Sequence, residues 1–401
     1  MTLVAQRMSQ VASAAFTIAL PMGTSMDSPP GSAAIASHWL LRGAGDRDTR
    51  QLNDALDSLG CQHDEHPQIA HMAVASAQLG KVLPESLAIF ADMIRRPRLE
   101  DGTFEPCRDL VTQALEGLED EPMRKCNIMI RERFYPHPLG RNPLGDKESL
   151  AAMTPEGLRQ HIARHFSPRG CIMAVAGQFD WEKLRGDVER LFGSWQGQEP
   201  PAIQTRPAVR GLHHLTKATA QAQITLAFDS ATIQDERYYA ARISEMILSG
   251  GMSARLFTEV REKRALVYSV MARYHYIKGH AGIFVYAGTT PEKAQETLEV
   301  TVGELRNLGK NILPQEISRS KTQVKSSLIM QGESTSARSD AMAADWYHLG
   351  RLRSLAEMSS AIDAVTMEQV EQYIAAFPAN KLTALTIGPA PLNTDVLKRG
   401  S

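Results

Sequence analysis

The feature that most limits the possible folds of this chain is an internal duplication. Residues 154–177 read TPEGLRQHIARHFSPRGCIMAVAG, and residues 366–388 read TMEQVEQYIAAFPANKLTALTIG. Each segment starts with a threonine that can cap an amphipathic helix, breaks at a proline and ends in an apolar strand that stops at glycine. Two further helix pairs recur in the same order: Pro84–Arg95 with Pro291–Arg306, and 103–118 with 314–330. A repeat of about 200 residues is far longer than a solenoid repeat, so it predicts two similar domains.

A linker lies between the two copies. Residues 196–211, QGQEPPAIQTRPAVRG, hold three prolines and two glycines and have no periodic hydrophobicity. Prolines of this kind stiffen an extended connection. We therefore predict an N-terminal domain over 1–195, a linker over 196–211 and a C-terminal domain over 212–401. The length of 401 residues suits more than one hydrophobic core.

The pattern of elements within one copy indicates the fold class. Strands are predicted at Gln223–Phe228, Val267–Tyr274 and Ala281–Ala287, and long helices follow at 290–307 and 314–331. Helices that come in pairs, without strict alternation with strands, favour α+β over a doubly wound sheet. We predict in each domain a mixed, mostly antiparallel sheet with helices packed on one face.

Charge and cysteine content limit the partners and the compartment. The net charge is −1, so we expect no nucleic acid and no membrane partner. The four cysteines, at positions 61, 107, 126 and 171, form no C-x-x-C pair. We predict free thiols in a reducing compartment, the cytoplasm rather than the periplasm. The apolar run Val11–Leu20 suits either a signal-peptide core or a first buried strand, and we favour the strand.

One segment of the second half carries a candidate site. Residues 248–270, LSGGMSARLFTEVREKRALVYSV, predict a Gly-rich turn, a helix and a strand, with Arg261 and Tyr268 seven positions apart. Taken alone, Arg261 could belong to a solvated helix face, and Tyr268 could be a core tyrosine on one side of a strand. The two glycines also suit a phosphate loop, but the segment has neither G-K-[ST] nor G-x-G-x-x-G, which argues against nucleotide binding.

The whole segment closely resembles the second-domain signature of the pitrilysin/insulinase family of zinc metallopeptidases. The matching residues are Gly250-Gly251, Met252-Ser253, Arg255-Leu256-Phe257, Arg261-Glu262-Lys263-Arg264 and Leu266-Val267-Tyr268, and in the first half Tyr135–Gly140 and Gly145. The resemblance implies the two-domain plan of that family. It also implies catalytic roles for Arg261 and Tyr268 at the substrate carbonyl, and substrate-binding roles for Gly250, Gly251 and Phe257.

The zinc motif of that family, H-x-x-E-H, is degenerate in this chain. Ala34 stands at the first histidine, Ser37 at the glutamate and His38 at the second histidine. Gln113 and Ala114 fill the two positions at which the third ligand could fall. A catalytic zinc needs about three protein ligands and an open position for water. We therefore predict that this chain binds no zinc and that His38 is a residual core or helix-face histidine.

Two other pairs of histidines could hold a metal in principle. His63 and His66 flank two acidic residues, but on a strand they would point to opposite faces, which predicts a solvated polar hairpin. His161 and His165 are four apart on a predicted helix, which is a ligand spacing. Because no third ligand lies nearby in the sequence, we predict a solvent-facing helix surface there.

These residues lead to one functional expectation and two alternatives. The resemblance implies the non-zinc subunit of a heterodimeric peptidase, inactive alone, whose homologous partner carries H-x-x-E-H and the zinc. The substrates would be extended, unfolded peptides. One alternative is a catalytically inert structural or peptide-binding subunit of the same fold. The other is a self-sufficient enzyme that uses His38, His63 or His66.

Overall fold

The computed structural model of the protein describes residues 1–398, so the last three residues of the predicted 212–401 domain lie outside the described residues. The strands are β1 Thr2–Arg7, β2 Ser13–Leu20, β3 Gly43–Ala44, β4 Arg47–Asp48, β5 Gln62–Pro67, β6 Met72–Leu79, β7 Ile172–Gly177, β8 Leu212–Thr216, β9 Ala222–Asp229, β10 Val267–Ile277, β11 His280–Thr289 and β12 Thr383–Gly388.

The α-helices are α1 Ser32–Leu40, α2 Thr49–Ser58, α3 Leu83–Arg95, α4 Asp101–Gly117, α5 Pro122–Phe134, α6 Lys147–Ala152, α7 Pro155–His165, α8 Trp181–Phe192, α9 Tyr238–Ser249, α10 Ala294–Arg306, α11 Pro314–Glu333, α12 Thr335–Leu349, α13 Leu355–Ala364, α14 Met367–Ala376 and α15 Asp395–Lys398. Short 3-10 turns lie at Thr24–Met26, Gly80–Val82 and Pro291–Lys293, and a π-helical turn lies at Phe257–Glu262.

Two five-stranded sheets have the same topology. The strand order is β1-β7-β2-β6-β5 in sheet 1 and β10-β11-β9-β12-β8 in sheet 2. Each sheet has one parallel pair at an edge, β1 with β7 and β8 with β12, and its other pairs are antiparallel. The predicted α+β class with two similar, mostly antiparallel domains is confirmed.

The apolar run near the start of the chain forms a strand, as expected. It is β2, which is buried along nearly its whole length at the centre of sheet 1. The sequence reasoning missed the strand before it, β1, which pairs in parallel with β7 at the sheet edge. Because β1 is short and mostly half-buried, its hydrophobic pattern is weak.

The main core of sheet 1 lies on one face. Alternate side chains of β2, such as Phe16 and Ile18, point to that face. The Phe16 ring meets the ring of Phe90 from α3 edge-on, with centroids 5.1 Å apart. Trp39 of α1 is fully buried in the same core and donates a hydrogen bond from its indole nitrogen to the Thr103 hydroxyl of α4.

The second face of sheet 1 is covered by α12, a helix that comes from the other half of the sequence. Small residues on β2 and β7, such as Ala19 and Ala174, let the helix approach closely, and Met342 is fully buried against them. The hydroxyl of Thr17 lies 2.9 Å from that of Ser339 and donates to Asp340 Oδ1 at 2.6 Å. The helix α12 therefore covers the second face of sheet 1 through contacts with small and polar side chains.

The second face of sheet 2 is covered in the reciprocal way by α5 from the first half. Cys126, Ile130 and Phe134 lie on one stripe of α5 and are buried. Cys126 packs against Tyr286 of β11, and the Phe134 ring meets Phe284 edge-on at 5.1 Å. The sequence reasoning placed helices on one face of each sheet and did not predict these second-face helices.

The chain consequently divides into two compact units that do not follow the sequence halves. Unit 1 comprises 1–117, 141–205 and 331–352, and unit 2 comprises 118–140, 206–330 and the described residues from 353 onwards. No helix within residues 1–398 is long and apolar enough to cross a membrane. All four cysteines are buried and unbonded to one another.

Candidate functional site

The degenerate zinc motif lies on α1, and its side chains do not form a metal site. Ala34 and Ser37 are buried, and the Ser37 hydroxyl donates to the Ala34 carbonyl oxygen at 2.8 Å. His38 alone carries an imidazole, and it lies on the exposed side of the helix. Partial burial of the ring and the neighbouring Arg42 lower its pKa. A methyl group and an engaged hydroxyl therefore stand where a histidine and a glutamate would be needed, and zinc does not fit here.

The candidate third-ligand positions offer no strong ligand either. Gln113 is exposed on α4, and Ala114 is half-buried beside it. Across residues 1–398, no group of three or more His, Cys, Asp or Glu side chains is arranged to hold a metal ion.

Residues 62–67 lie in a polar hairpin, as predicted, but they are not solvated throughout, because the Glu65 side chain is only 2% exposed. It is strand β5 at the edge of sheet 1, paired with β6. His63 pairs with Glu65 at 3.1 Å, and His66 pairs with Asp64 at 2.7 Å. Because successive side chains of a strand point to opposite faces, the two histidines are separated by the sheet. The hydrogen bond to Glu65 raises the pKa of His63.

The prediction that His161 and His165 face solvent was wrong. Both are buried on α7, with ring centroids 4.3 Å apart. Together with Leu158 and Ile162 they follow the spacing of a buried helix stripe, which was the signal in the sequence. Burial lowers the pKa of His161 to about 3 and also lowers that of His165, so both are neutral at pH 7.

The structure explains why both positions of the turn that precedes the candidate Arg/Tyr pair are glycine. A Cβ on Gly250 would lie 2.5 Å from Gln323 Oε1 and 2.6 Å from the Met246 carbonyl oxygen. Gly251 has a φ of 136°, a backbone conformation that favours glycine. The Gln323 side chain of α11 also donates a hydrogen bond to the Gly250 carbonyl oxygen. The turn that ends α9 is thus fixed by backbone geometry and by one side chain of α11.

Arg261 lies in the last turn of a π-helical segment, Phe257–Glu262. π-helical segments are rare in proteins, and those that occur often lie at functional sites. The Arg261 guanidinium lies 5.0 Å from the centre of the Phe257 ring, which is half-buried beneath it. The neighbouring carboxylate of Glu259 is engaged by Lys263 and Arg264 at 2.6 and 2.9 Å. Arg261 is exposed and, among the described residues, has no carboxylate partner.

Tyr268 lies at a β-bulge near the start of β10. In the pairing of β10 with β11, Val267 faces Thr289 and Ser269 faces Gly288, so Tyr268 has no partner residue. Its side chain is 64% exposed, whereas Leu266 and Val267 are buried. The alternative of a core tyrosine is therefore excluded. A bulge of this kind redirects a side chain away from the regular pleat.

Two residues that the sequence reasoning did not single out hold the turn between Arg261 and Tyr268. The Lys293 ammonium donates to the Ala265 carbonyl oxygen at 2.8 Å, and the Thr289 hydroxyl donates to the Leu266 carbonyl oxygen at 2.5 Å. Both lie more than twenty residues further along the chain, so no local pattern could have found them.

Solved structures of other proteins share this fold. A peptidase M16 inactive domain from Pseudomonas fluorescens matches with a TM-score of 0.89 at 18% identity, over 98% of this chain and 96% of that chain. A chain of complex III2 from Candida albicans matches with a TM-score of 0.85 at 16% identity, over 99% and 96%. This protein is therefore a two-domain chain with the fold of the M16 peptidase structure.

Comparison of the sequence gives the family. The model described as insulinase, peptidase family M16, matches residues 3–147, and the model described as peptidase M16 inactive domain matches 152–324. A protein of Bacillus subtilis named an uncharacterized zinc protease is 27% identical over 372 residues, covering 90% of this chain and 89% of its own length. The chain belongs to the pitrilysin/insulinase (M16) family of peptidases, which confirms the resemblance seen in the sequence.

Proposed function

We propose that this chain is the non-zinc subunit of a two-subunit M16 peptidase. The observation that carries the proposal is the exposed phenol of Tyr268, which the bulge of β10 directs away from the core. A scaffold has no need of such a side chain, nor of an exposed Arg261 that has no carboxylate partner among the described residues. The buried Ala34 and Ser37 support the other half of the proposal, because they leave no ligand set for zinc on this chain.

The chemistry assigned to this chain is stabilisation of negative charge. Hydrolysis of a peptide bond turns the carbonyl oxygen into an oxyanion, and preorganised donors around that oxygen lower the barrier. The Tyr268 hydroxyl is the donor to that oxygen. Arg261, held over Phe257, holds Tyr268 or the substrate. The homologous partner with an intact H-x-x-E-H motif holds zinc, which supplies the activated water.

The substrate class follows from how a sheet binds a peptide. An extended, unfolded chain can add as a strand to an open sheet edge through main-chain hydrogen bonds. Tyr268 lies on β10, which is an edge strand of sheet 2. Gly250, Gly251 and Phe257 lie in the segment that precedes the pair, and we assign them to peptide binding.

A second function is favoured by one comparison. The likeness to a chain of complex III2 from Candida albicans supports a structural or peptide-holding subunit without catalytic chemistry. If the chain had this second function, loss of the Tyr268 hydroxyl would have no effect on any reaction. The two functions therefore differ in one measurable property.

The test uses purified full-length protein, alone and mixed with a homologous subunit that carries H-x-x-E-H. We expect neither bound zinc nor peptide cleavage from this chain alone, and cleavage of unstructured peptides by the mixture. Tyr268→Phe should lower the rate of the mixture about 10²–10³-fold without preventing assembly. The matched control is Trp181→Phe, which changes another exposed aromatic residue, in unit 1. A Tyr268→Phe mixture as fast as the control would contradict the proposal.

A further inference from the structure

We propose that Lys293 is a positioning residue that fixes Arg261 and Tyr268 by holding the turn between them. The inference rests on the proposed function for its catalytic meaning, but its structural content concerns this chain alone. Both side chains are exposed and project from a short irregular segment, so something outside that segment must hold the segment in one conformation.

The turn itself has an unfavourable backbone conformation. Ala265 has a φ of 49°, in the left-handed region that residues with a Cβ rarely adopt. Its amide donates to the Arg261 carbonyl oxygen at 3.0 Å, and the next amide, of Leu266, donates to the Val260 carbonyl oxygen at 3.1 Å. These bonds reverse the chain directly after the π-helical turn. A conformation of this kind persists only where its surroundings hold it in place.

Side chains from a single segment supply that support. The Lys293 ammonium bonds the carbonyl oxygen of Ala265, the residue with positive φ. The Thr289 hydroxyl bonds the carbonyl oxygen of Leu266. Two successive peptide groups are therefore held, one by a charged donor at the surface and one by a fully buried hydroxyl.

The supporting segment is itself well anchored. Lys293 closes the 3-10 turn Pro291–Lys293 just before α10, and its carbonyl oxygen accepts a hydrogen bond from the Thr297 hydroxyl at 2.8 Å. The Thr297 hydroxyl also lies 3.4 Å from that of Thr289. Side-chain hydrogen bonds thus hold the start of α10, and from there the Lys293 side chain reaches back across 28 residues to the turn.

The position of the held peptide groups explains why both functional side chains depend on them. Arg261 accepts, through its carbonyl oxygen, the hydrogen bond from Ala265, and Tyr268 follows Leu266 by two residues at the bulge. If the Ala265 peptide group rotates, the end of the π-helical turn and the start of β10 both shift. The side chain of Lys293 contacts neither Arg261 nor Tyr268 through any described bond, so its effect is on their orientation.

The first measurement uses the purified chain alone. Lys293→Met removes the donor and keeps the length of the side chain, and hydrogen–deuterium exchange of residues 263–270 is followed by mass spectrometry. Loss of one charged hydrogen bond should raise exchange of those amides about five- to tenfold. Lys293→Arg keeps a donor and should stay close to wild type. Lys263→Met is the matched control, because it removes a lysine of the same turn that pairs with Glu259 instead.

The second measurement applies to the mixture with a zinc-bearing subunit. Lys293→Met should lower kcat about tenfold with KM unchanged, and Lys293→Arg should restore it, because only the alignment of the donors is lost. A rise in KM alone would overturn the positioning role. Unchanged exchange in Lys293→Met would overturn it as well, whether or not any mixture cleaves peptides. If exchange rises but no mixture is active, the proposed function fails while the role of Lys293 in the turn stands.

Discussion

The reciprocal exchange of helices between the two halves of the sequence can be tested with one matched pair of variants. Phe134 of α5 is fully buried on sheet 2, and Met342 of α12 is fully buried on sheet 1. Each side chain comes from the half of the sequence opposite to the sheet that it covers. Truncation of either to alanine should therefore destabilise the sheet that the other half of the chain builds.

The expected cost at Phe134 follows from its contacts. Its ring meets the rings of Tyr135 and Phe284 edge-on at 5.1 Å, and the Arg210 guanidinium lies 4.1 Å from its centre. A Cβ on Gly282 would lie 2.7 Å from the ring, which shows how closely the strand approaches it. Loss of a buried Phe costs about 3–5 kcal/mol, and the aromatic and cation contacts place the cost at the upper end.

The assay is native-state hydrogen exchange resolved along the sequence. For Phe134→Ala, amides of β9 and β11 should exchange about 10³-fold faster, since 1.4 kcal/mol corresponds to a factor of ten, while β2 and β7 keep their protection. For Met342→Ala, with a cost of about 2–5 kcal/mol, the pattern should be inverted. If Phe134→Ala deprotects sheet 1, or both variants deprotect both sheets equally, the assignment of these helices to the units is wrong.

Two further predictions concern stability. Arg255 forks onto both carboxylate oxygens of Glu316 at 2.8 Å, and the two side chains are only 15% and 11% exposed. Arg255→Met should therefore lower the free energy of unfolding by about 3 kcal/mol, and Glu316→Gln should lower it less. Chemical denaturation measures both changes, and a loss under about 1 kcal/mol for Arg255→Met would contradict the assigned strength of this ion pair. Burial lowers the folded-state pKa of His161 to about 3, so the unfolded chain binds one more proton than the folded chain between pH 6.5 and 3. The free energy of unfolding therefore falls as the pH falls through that window, by up to about 1.4 kcal/mol per pH unit. His161→Gln should remove that part of the slope in denaturation curves at pH 7, 5.5 and 4.5, and an unchanged slope would assign the dependence to other groups.

Local patterns were sufficient to predict the repeated elements. Strands such as β9 and β11 follow from their apolar runs. The recurrence of residues 154–177 as 366–388, together with two helix pairs in the same order, gave the two-domain plan. The type of residue at Ala34 and Ser37 was also enough to exclude a zinc ligand set, since neither methyl nor an engaged hydroxyl can replace imidazole and carboxylate.

The remaining features depend on contacts that no local pattern records. The stripe of Cys126, Ile130 and Phe134 reveals that α5 has an apolar face, but not that the face belongs to the sheet of the other half. The bulge at Tyr268 depends on the pairing register of β10 with β11, which is a property of two strands. The support by Lys293 depends on the same long-range packing.

The exchange of α5 and α12 has a consequence for any attempt to divide this chain. Small alanines receive α12 on sheet 1, whereas aromatic side chains receive α5 on sheet 2. Because the two receiving surfaces differ, a half severed at the linker lacks the helix that covers its sheet, and a second copy of itself offers a helix shaped for the other surface. We therefore expect the two halves to fold stably only in each other's presence.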